Sequence, residues 1–241
     1  MCTVTFIPRR EGYALGMNRD EKLTRITALP PALHQMAGRN ALFPSEPGGG
    51  TWIGINDAGV CFALINWYAI PARASGKTLS RGDVVKGLLA TNNLEFAQAA
   101  ALKLPLRRLN PFRLIGIYPQ TRNAIEWRWN LKRLERVEYP WIANTWISSG
   151  FDEPGAQITR GKVFSQSSLQ KSAGGLDWLR RIHRSHKPER GPYSTCMHRE
   201  DAATVSYTEA VVTPSLAVMR YKNGSPCCGS PLSVHQLPLN I

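Results

Sequence analysis

The sequence has 241 residues, a formal net charge of +13 and five cysteines. A chain of this length forms one large domain or two small ones and needs no disulfide staples, and an odd, sparse set of cysteines predicts no disulfide framework. No apolar run reaches the length of a membrane span and no targeting segment is visible, so we expect a cytoplasmic protein with no transmembrane segment. The basic charge favours an anionic partner.

The hydrophobic periodicity alternates between strands and helices along the chain. It predicts a β-hairpin over 2–7 and 13–18, a second over 51–56 and 60–66, two helices over about 80–103 with caps at Ser80 and at Asn92 or Asn93, three strands over 112–119, 124–130 and 133–140, helices over 156–170 and 175–185, and a last hairpin over 204–212 and 216–221. Proline and glycine at 29–31 and 44–50 indicate loops, and the C-terminal 20 residues are expected to be irregular. Sequential hairpins with paired helices predict an α+β fold with layered antiparallel sheets in a single domain over 1–241.

Cys2 directly follows the initiator methionine at the start of the first predicted strand. Aminopeptidases generally remove methionine before a small residue, so Cys2 would then carry both a thiol and a free α-amino group. The thiolate is a strong nucleophile and an α-amino group has a pKa suited to a general base. A thiol and an α-amino group on one residue are typical of hydrolases with an N-terminal nucleophile. The alternative is that Cys2 is only a small hydrophobic residue buried at the start of a strand.

The segment Asn-Arg-Asp-Glu at 18–21 ends the strand that pairs with the one starting at Cys2. A hairpin turning around 9–12 brings this segment close to Cys2. Asp20 is therefore predicted to hold the α-ammonium group and Arg19 to stabilise the thiolate. A solvated charged turn is the alternative interpretation.

Four motifs in order resemble one family. They are MC at the start, NRDE at 18–21, GGTWIGIN at 49–56 and CMHREDAATVSY at 196–207. Together they resemble the NRDE family, the relatives of the transport and Golgi organisation type 2 proteins. The chain is more distantly similar to choloylglycine hydrolases and penicillin V acylases. That resemblance implies a four-layer αββα fold of the N-terminal-nucleophile hydrolase type and a cysteine exposed by removal of methionine.

The resemblance also implies roles for individual residues. Cys2 would be the nucleophile, Asp20 the anchor of the amine, and Asn66 and Asn144 the donors to the oxyanion. The hydrolases carry an arginine three residues before the aspartate, where this chain has Met17, so Arg19 is the nearest thiolate partner. Their second, late arginine corresponds to Arg199 or Arg220. Further residues are expected to line the pocket: Asn18, Trp52, His198 and Arg199.

The resemblance implies two functions. One is an amidohydrolase or acyltransferase that acts on a linear C–N amide through a Cys2 thioester. The other is a non-catalytic carrier of haem, lipid or acyl-CoA. Both predict a small-molecule ligand that is anionic or contains an amide, and neither needs a cofactor. A third interpretation, a nucleic-acid or membrane-surface binder driven by charge, has no motif behind it, so we expect no nucleic-acid partner.

Two further patterns partly resemble a metal site and a phosphate-binding loop. His183, His186, Cys196 and His198 could be drawn as a metal centre, but their spacing fits no standard zinc pattern, and no metal site is predicted. Cys227 and Cys228 are adjacent in the C-terminal tail. The glycines at 48–50 precede no GK[ST] at the spacing of a phosphate-binding loop.

Overall fold

Strands and helices alternate in blocks along residues 2–240, which are the residues that the computed structural model describes. The strands, in chain order, are β1 (Cys2–Pro8), β2 (Tyr13–Lys22), β3 (Leu29–Met36), β4 (Arg39–Ser45), β5 (Ile53–Asn56), β6 (Cys61–Asn66), β7 (Phe112–Tyr118), β8 (Asn123–Trp129), β9 (Leu134–Tyr139), β10 (Asn144–Ser148), β11 (Ala202–Val212), β12 (Leu216–Asn223) and β13 (Ser233–Pro238). The α-helices are α1 (Gly82–Leu89), α2 (Leu94–Leu102), α3 (Glu153–Ser168) and α4 (Leu176–Arg184). None of the helices within 2–240 is long and apolar enough to cross a membrane.

The strands form two antiparallel sheets. The first sheet has the order β10-β1-β2-β11-β12-β13, and the second has the order β3-β4-β5-β6-β7-β8-β9. One hydrophobic core lies between the sheets, a second between the second sheet and α1 and α2, and a third between the first sheet and α3 and α4. The molecule is therefore a four-layer αββα sandwich, which confirms the predicted fold class.

The first hairpin positions Cys2. Strand β1 pairs on one side with β2, where Cys2 lies opposite Arg19, and on the other side with β10, where Cys2 lies opposite Ser148. Directly opposed residues on neighbouring strands point to the same face of a sheet. Cys2, Val4 and Phe6 accordingly face the core between the sheets, whereas Thr3 faces the helices and contacts Arg160 of α3.

Most of the predicted elements are confirmed, and four regions differ. Strand β10, for which no strand was predicted, pairs with β1. Strand β2 continues through the whole NRDE segment, because β11 pairs with it as far as Lys22. Residues 29–31 and 44–45, interpreted as parts of loops, belong to the β3–β4 hairpin. Strand β3 tolerates Pro30 and Pro31 because it is an edge strand with an irregular register there. The tail expected to be irregular contains β13, which pairs with β12. The assignment of the chain to a single domain stays a prediction.

Substitutions at two glycines, Gly54 in β5 and Gly87 in α1, can test how α1 packs on the second sheet. At Gly54 of β5 an added Cβ would lie 2.5 Å from Leu89 Cδ1 and 3.1 Å from Phe43 Cβ, whereas Gly87 of α1 has no neighbouring atom within 4 Å. Gly54→Ala is expected to lower the free energy of unfolding by about 1–3 kcal/mol through overpacking. Gly87→Ala is expected to raise it by about 0.5–1 kcal/mol, since alanine is the better helix former. Urea unfolding of both variants measures the difference, and equal effects would contradict this packing.

Candidate functional site

A cavity of about 490 Å³ opens beside Cys2. Its wall comes from β1, β2 and β6, from the segment before β5 and from the segment that leads into α1. The side chains that matter for its chemistry are Cys2, Arg19, Glu46, Trp52, Asn66 and Arg81. A more open depression of about 600 Å³ lies elsewhere, against Arg10 and Trp178, and contains no cysteine. Cys2 makes the smaller cavity the candidate active site.

Cys2 is only 7% exposed. Burial raises the pKa of the Cys2 thiol, and the negative charge of Asp20 acts in the same direction. The positive charge of Arg19 and the backbone N–H of Asp20, which donates to the sulfur, lower the pKa. The thiolate therefore has two stabilising neighbours that a buried cysteine in an apolar strand would lack. Met1, whose removal was predicted, lies outside the described residues.

Arg19 points into the cavity on the same face of the first sheet as Cys2. Its guanidinium donates to Glu46 Oε1 at 2.7 Å and stacks over the ring of Trp52, 4.4 Å from the centroid. These contacts hold the side chain in one orientation although it is largely buried. Trp52, predicted to line the pocket, therefore supports the cation next to the thiol.

Asp20 lies on the helix side of β2, and its carboxylate accepts hydrogen bonds from β11 and from α3. Thr204 Oγ1 of β11 donates to Asp20 Oδ1 at 2.6 Å, and Arg160 Nη1 of α3 donates to Oδ2 at 3.1 Å. Arg160 also donates to Thr3 Oγ1 and to the carbonyl of Pro192. The backbone of Asp20 contacts the thiol while its carboxylate is tied to α3 and β11, so the strand is fixed where it passes Cys2.

Asn66 and Arg81 complete the wall of the cavity. Asn66 ends β6, and its side-chain amide donates to the hydroxyl of Tyr68 at 2.8 Å. Arg81 is half-buried and donates to the carbonyl of Pro111, and burial lowers the pKa of its guanidinium. Within residues 2–240 no carboxylate forms an ion pair with Arg81, in contrast to Arg19.

The structure does not bring four of the predicted residues to the cavity. Asn144 lies opposite Phe6, four residues along β1 from Cys2, which is about 13 Å on a strand. Asn18 faces α4 because side chains alternate along β2. Arg199 stacks on Phe151 and pairs with Asp201. His198 belongs to a separate cluster next to Cys196.

Several residues that shape the site were missed by the sequence analysis. Arg160 lies in α3 and Arg81 directly precedes α1, so both are far from Cys2 in the chain. Arg220, a candidate for the late arginine, instead pairs with Glu209. Ser148 lies opposite Cys2, and its buried hydroxyl has no hydrogen-bond partner among the described residues. Pairing of β10 with β1 joins residues 140 positions apart, which no local pattern reveals.

Contact with Asn18 and burial keep the imidazole of His183 neutral in the folded protein. The Asn18 amide donates to the carbonyls of His183 and Thr195, so its oxygen faces His183 Nδ1 at 3.0 Å and that nitrogen carries the proton. His183 Nε2 is buried with no hydrogen-bond partner among residues 2–240, and burial together with the charge of Arg160 lowers the pKa of His183 to about 3. The folded protein thus holds a neutral imidazole that accepts a second proton only in strong acid.

This arrangement predicts a loss of stability in acid. An unfolded histidine has a pKa of about 6.5, so from there down to about pH 3 the unfolded chain binds a proton that the folded chain does not. His183 then lowers the free energy of unfolding by about 1.4 kcal/mol for each pH unit in that window. Urea unfolding at several pH values should give a shallower slope for His183→Gln than for the wild type. His235→Gln, where the imidazole contacts Ser233, should leave the slope unchanged.

Comparison with known proteins agrees with this geometry. The family model described as TANGO2, Transport and Golgi organisation 2, matches residues 1–208. No curated protein matches the chain. The fold is similar to that of the C2A mutant of conjugated bile acid hydrolase from Clostridium perfringens, with a TM-score of 0.54 and 11% identity over 98% of this chain and 96% of that one. It is also similar to penicillin V acylase from Agrobacterium tumefaciens, with a TM-score of 0.56 and 10% identity over 97% of this chain and 85% of that one. At these identities the likeness shows the fold alone.

Proposed function

The chain belongs to the Transport and Golgi organisation 2 family, and we propose that this member is a cysteine N-terminal-nucleophile hydrolase that cleaves a linear C–N amide bond. The observation that carries the proposal is the position of Cys2. Its thiol lines a cavity beside Arg19 and Asn66, and the backbone N–H of Asp20 donates to the sulfur. The fold that this chain shares with two amide-cleaving enzymes supports the same assignment.

In the proposed reaction, removal of Met1 exposes the α-amino group of Cys2. That amine takes the thiol proton, and the thiolate attacks the amide carbonyl to form a C–S bond. The C–N bond then breaks as the leaving amine takes the proton back from the α-ammonium group, which leaves a thioester on Cys2. The same amine then takes a proton from water, and the hydroxide attacks the thioester carbonyl. The C–S bond breaks, the acid leaves, and the proton returns from the α-ammonium group to the sulfur, which regenerates the thiol and the free amine. Arg19 would stabilise the thiolate, and Asp20 would hold the amine.

Asn66 is the proposed donor to the oxyanion. Its amide N–H groups face the cavity, where one of them donates to Tyr68. A substrate carbonyl bound against Cys2 would accept a hydrogen bond from the other N–H of Asn66. A donor of this kind stabilises the transition state by about 3 kcal/mol. Asn144 has no part in the proposal, because it lies opposite Phe6 at the other end of the strand pair.

Arg81 points to the substrate class. It is the cation of the cavity wall that pairs with no carboxylate among the described residues, whereas Arg19 and Arg25 both donate to Glu46. A half-buried guanidinium favours a substrate that brings its own anion. We therefore expect amides that carry a carboxylate, and penicillin V and bile acid conjugates, after which the two neighbours are named, are the first to screen.

Intact mass measurement with limited alkylation tests the nucleophile directly. The purified protein is treated briefly with iodoacetamide, and the modified cysteine is mapped. Loss of the mass of methionine with faster modification of Cys2 than of exposed Cys228 is the expected result. Retention of Met1, or a Cys2 no faster than Cys228, would overturn the hydrolase mechanism.

A carrier without catalysis is the second candidate. The observation that favours it is that burial raises the pKa of the Cys2 thiol, while Arg19 is held by Glu46 and Trp52. A carrier of haem or acyl-CoA would bind its ligand through the cationic wall of the same cavity. Titration with haem or with an acyl-CoA separates the two, since a carrier keeps its affinity in Cys2→Ala and releases no amine from any amide.

A further inference from the structure

Two histidines and two cysteines meet beside the start of β11, and none of them lines the cavity. His186 follows α4, Cys196 and His198 precede β11, and Cys227 lies between β12 and β13. One nitrogen or sulfur atom of each side chain lies within 4.8 Å of those of the other three. Three separate segments of the chain therefore converge on one point. None of the four side chains lines the candidate active site.

Hydrogen bonding explains only part of the contacts within this cluster. His198 Nε2 lies 3.3 Å from His186 Nε2, 3.4 Å from Cys196 Sγ and 3.5 Å from Cys227 Sγ. A ring nitrogen offers either one N–H or one lone pair, so it can satisfy one of these three neighbours. The remaining contacts would depend on weak S–H donors competing for the same nitrogen.

These three distances, all measured from His198 Nε2, fit three of the six edges of a metal tetrahedron. Zinc binds imidazole nitrogen at about 2.0–2.1 Å and thiolate sulfur at about 2.3 Å. For a tetrahedral site these lengths place two nitrogens about 3.3 Å apart, and a nitrogen and a sulfur about 3.5 Å apart. The observed nitrogen–nitrogen distance of 3.3 Å and nitrogen–sulfur distances of 3.4 and 3.5 Å agree with both values.

We propose that His186, Cys196, His198 and Cys227 bind one Zn²⁺ ion at a structural site. Two thiolates and two imidazoles are the ligand set that zinc favours over magnesium or calcium, and four protein ligands leave no open position for catalysis. Two thiolates also neutralise the charge of the ion. In the bound form His198 Nδ1 carries the ring proton, so exposed Arg190, which contacts Nδ1 at 3.3 Å, turns towards solvent.

The ion would stabilise the loop that holds Asp20. Residues 186–198 run from the first ligand, His186, to Cys196 and His198. Within this loop the carbonyl of Pro192 accepts from Arg160 and the N–H of Met197 donates to Thr204. Arg160 and Thr204 are the two side chains that bind the Asp20 carboxylate. The zinc ligands therefore act as positioning residues for the active site without touching a substrate.

The site differs from the one that the sequence pattern allowed. His183 was weighed as a ligand, but it is buried against Asn18, and Cys227 takes the fourth position. Zinc motifs usually place ligands in short paired spacings, whereas here Cys227 lies 29 residues from His198. Pairing of β11, β12 and β13 brings Cys227 back to the loop.

Zinc stoichiometry of matched variants tests the proposal. The full chain is reduced, stripped with EDTA, titrated with zinc chloride and desalted, and its zinc is measured by mass spectrometry. We expect one tightly held ion per chain in the wild type and in Cys228→Ser, the neighbouring exposed cysteine outside the cluster. Cys227→Ser and His198→Gln should lose at least nine-tenths of that zinc. Cobalt(II) in place of zinc should give the visible absorption of a tetrahedral thiolate site in the wild type and in Cys228→Ser.

Three results would overturn the site. The first is no retained zinc in the reduced wild type. The second is equal retention by Cys227→Ser and Cys228→Ser, which would mark an adventitious ion only. The third is a Cys196–Cys227 disulfide in the intact mass of unreduced protein, combined with no zinc uptake after reduction. Circular dichroism of Cys227→Ser, whose side chain is exposed, separates loss of the site from loss of the fold.

Discussion

Cys2→Ala is expected to lower the rate of amide hydrolysis by at least about 10³-fold, because it removes the nucleophile. Alanine is also small, so Met1 should still be removed and the α-amino group should remain. The cavity wall keeps Arg19, Asn66 and Arg81, so the dissociation constant for a carboxylate-bearing amide should change little. Initial rates of amine release with penicillin V or a bile acid conjugate, together with calorimetric binding, measure the two effects separately.

Cys228→Ala is the matched control for the nucleophile. It removes an exposed thiol that lines no part of the cavity and should leave the hydrolysis rate unchanged. Equal rates for the wild type and Cys2→Ala would contradict the mechanism. Asn66→Ala should then separate catalysis from binding, since loss of one donor to the oxyanion is expected to lower kcat by about 10²–10³-fold.

The layers of the fold could be predicted from local patterns, but the edges of the sheets could not. The central strands of both sheets were predicted from apolar residues and short turns, because burial on one or both faces determines which positions along these strands are apolar. The β3–β4 hairpin was missed because Pro30 and Pro31 are typical of loops, and only its position at a sheet edge makes them acceptable. Strand β13 was missed for a related reason, since its single partner is β12.

The family could be predicted from its four motifs, and the match over residues 1–208 confirms it. The site was predictable only in part, because strand register decides which side chains share a face. Cys2 and Arg19 were expected together because the hairpin that joins them is local, and they line one cavity. Asn144 was misplaced, since its distance from Cys2 depends on how β10 pairs with β1. Arg160 carries no motif, so its contact with Asp20 could not be foreseen.

Asp20→Asn is expected to lower the free energy of unfolding by about 3–5 kcal/mol, because it leaves Arg160 as a buried charge without its carboxylate. The side chains of Arg160 and Asp20 are 1% and 0% exposed, so water cannot compensate the guanidinium. Urea unfolding at neutral pH gives the size of the loss. Asp201→Asn is the matched control, since it breaks the exposed pair with Arg199 and should change stability little.

A double variant distinguishes a lost ion pair from a general packing defect. Arg160→Met in the Asp20→Asn background removes the unpaired charge and keeps the length of the side chain. If the charge is the cause, the double variant should be more stable than Asp20→Asn alone, and the two substitutions should not be additive. A double variant that is less stable by the sum of both single losses would mean that the two side chains contribute independently. In that case the contact between α3 and β2 would not depend on the ion pair, and the position of Asp20 beside Cys2 would depend on Thr204 and on strand pairing.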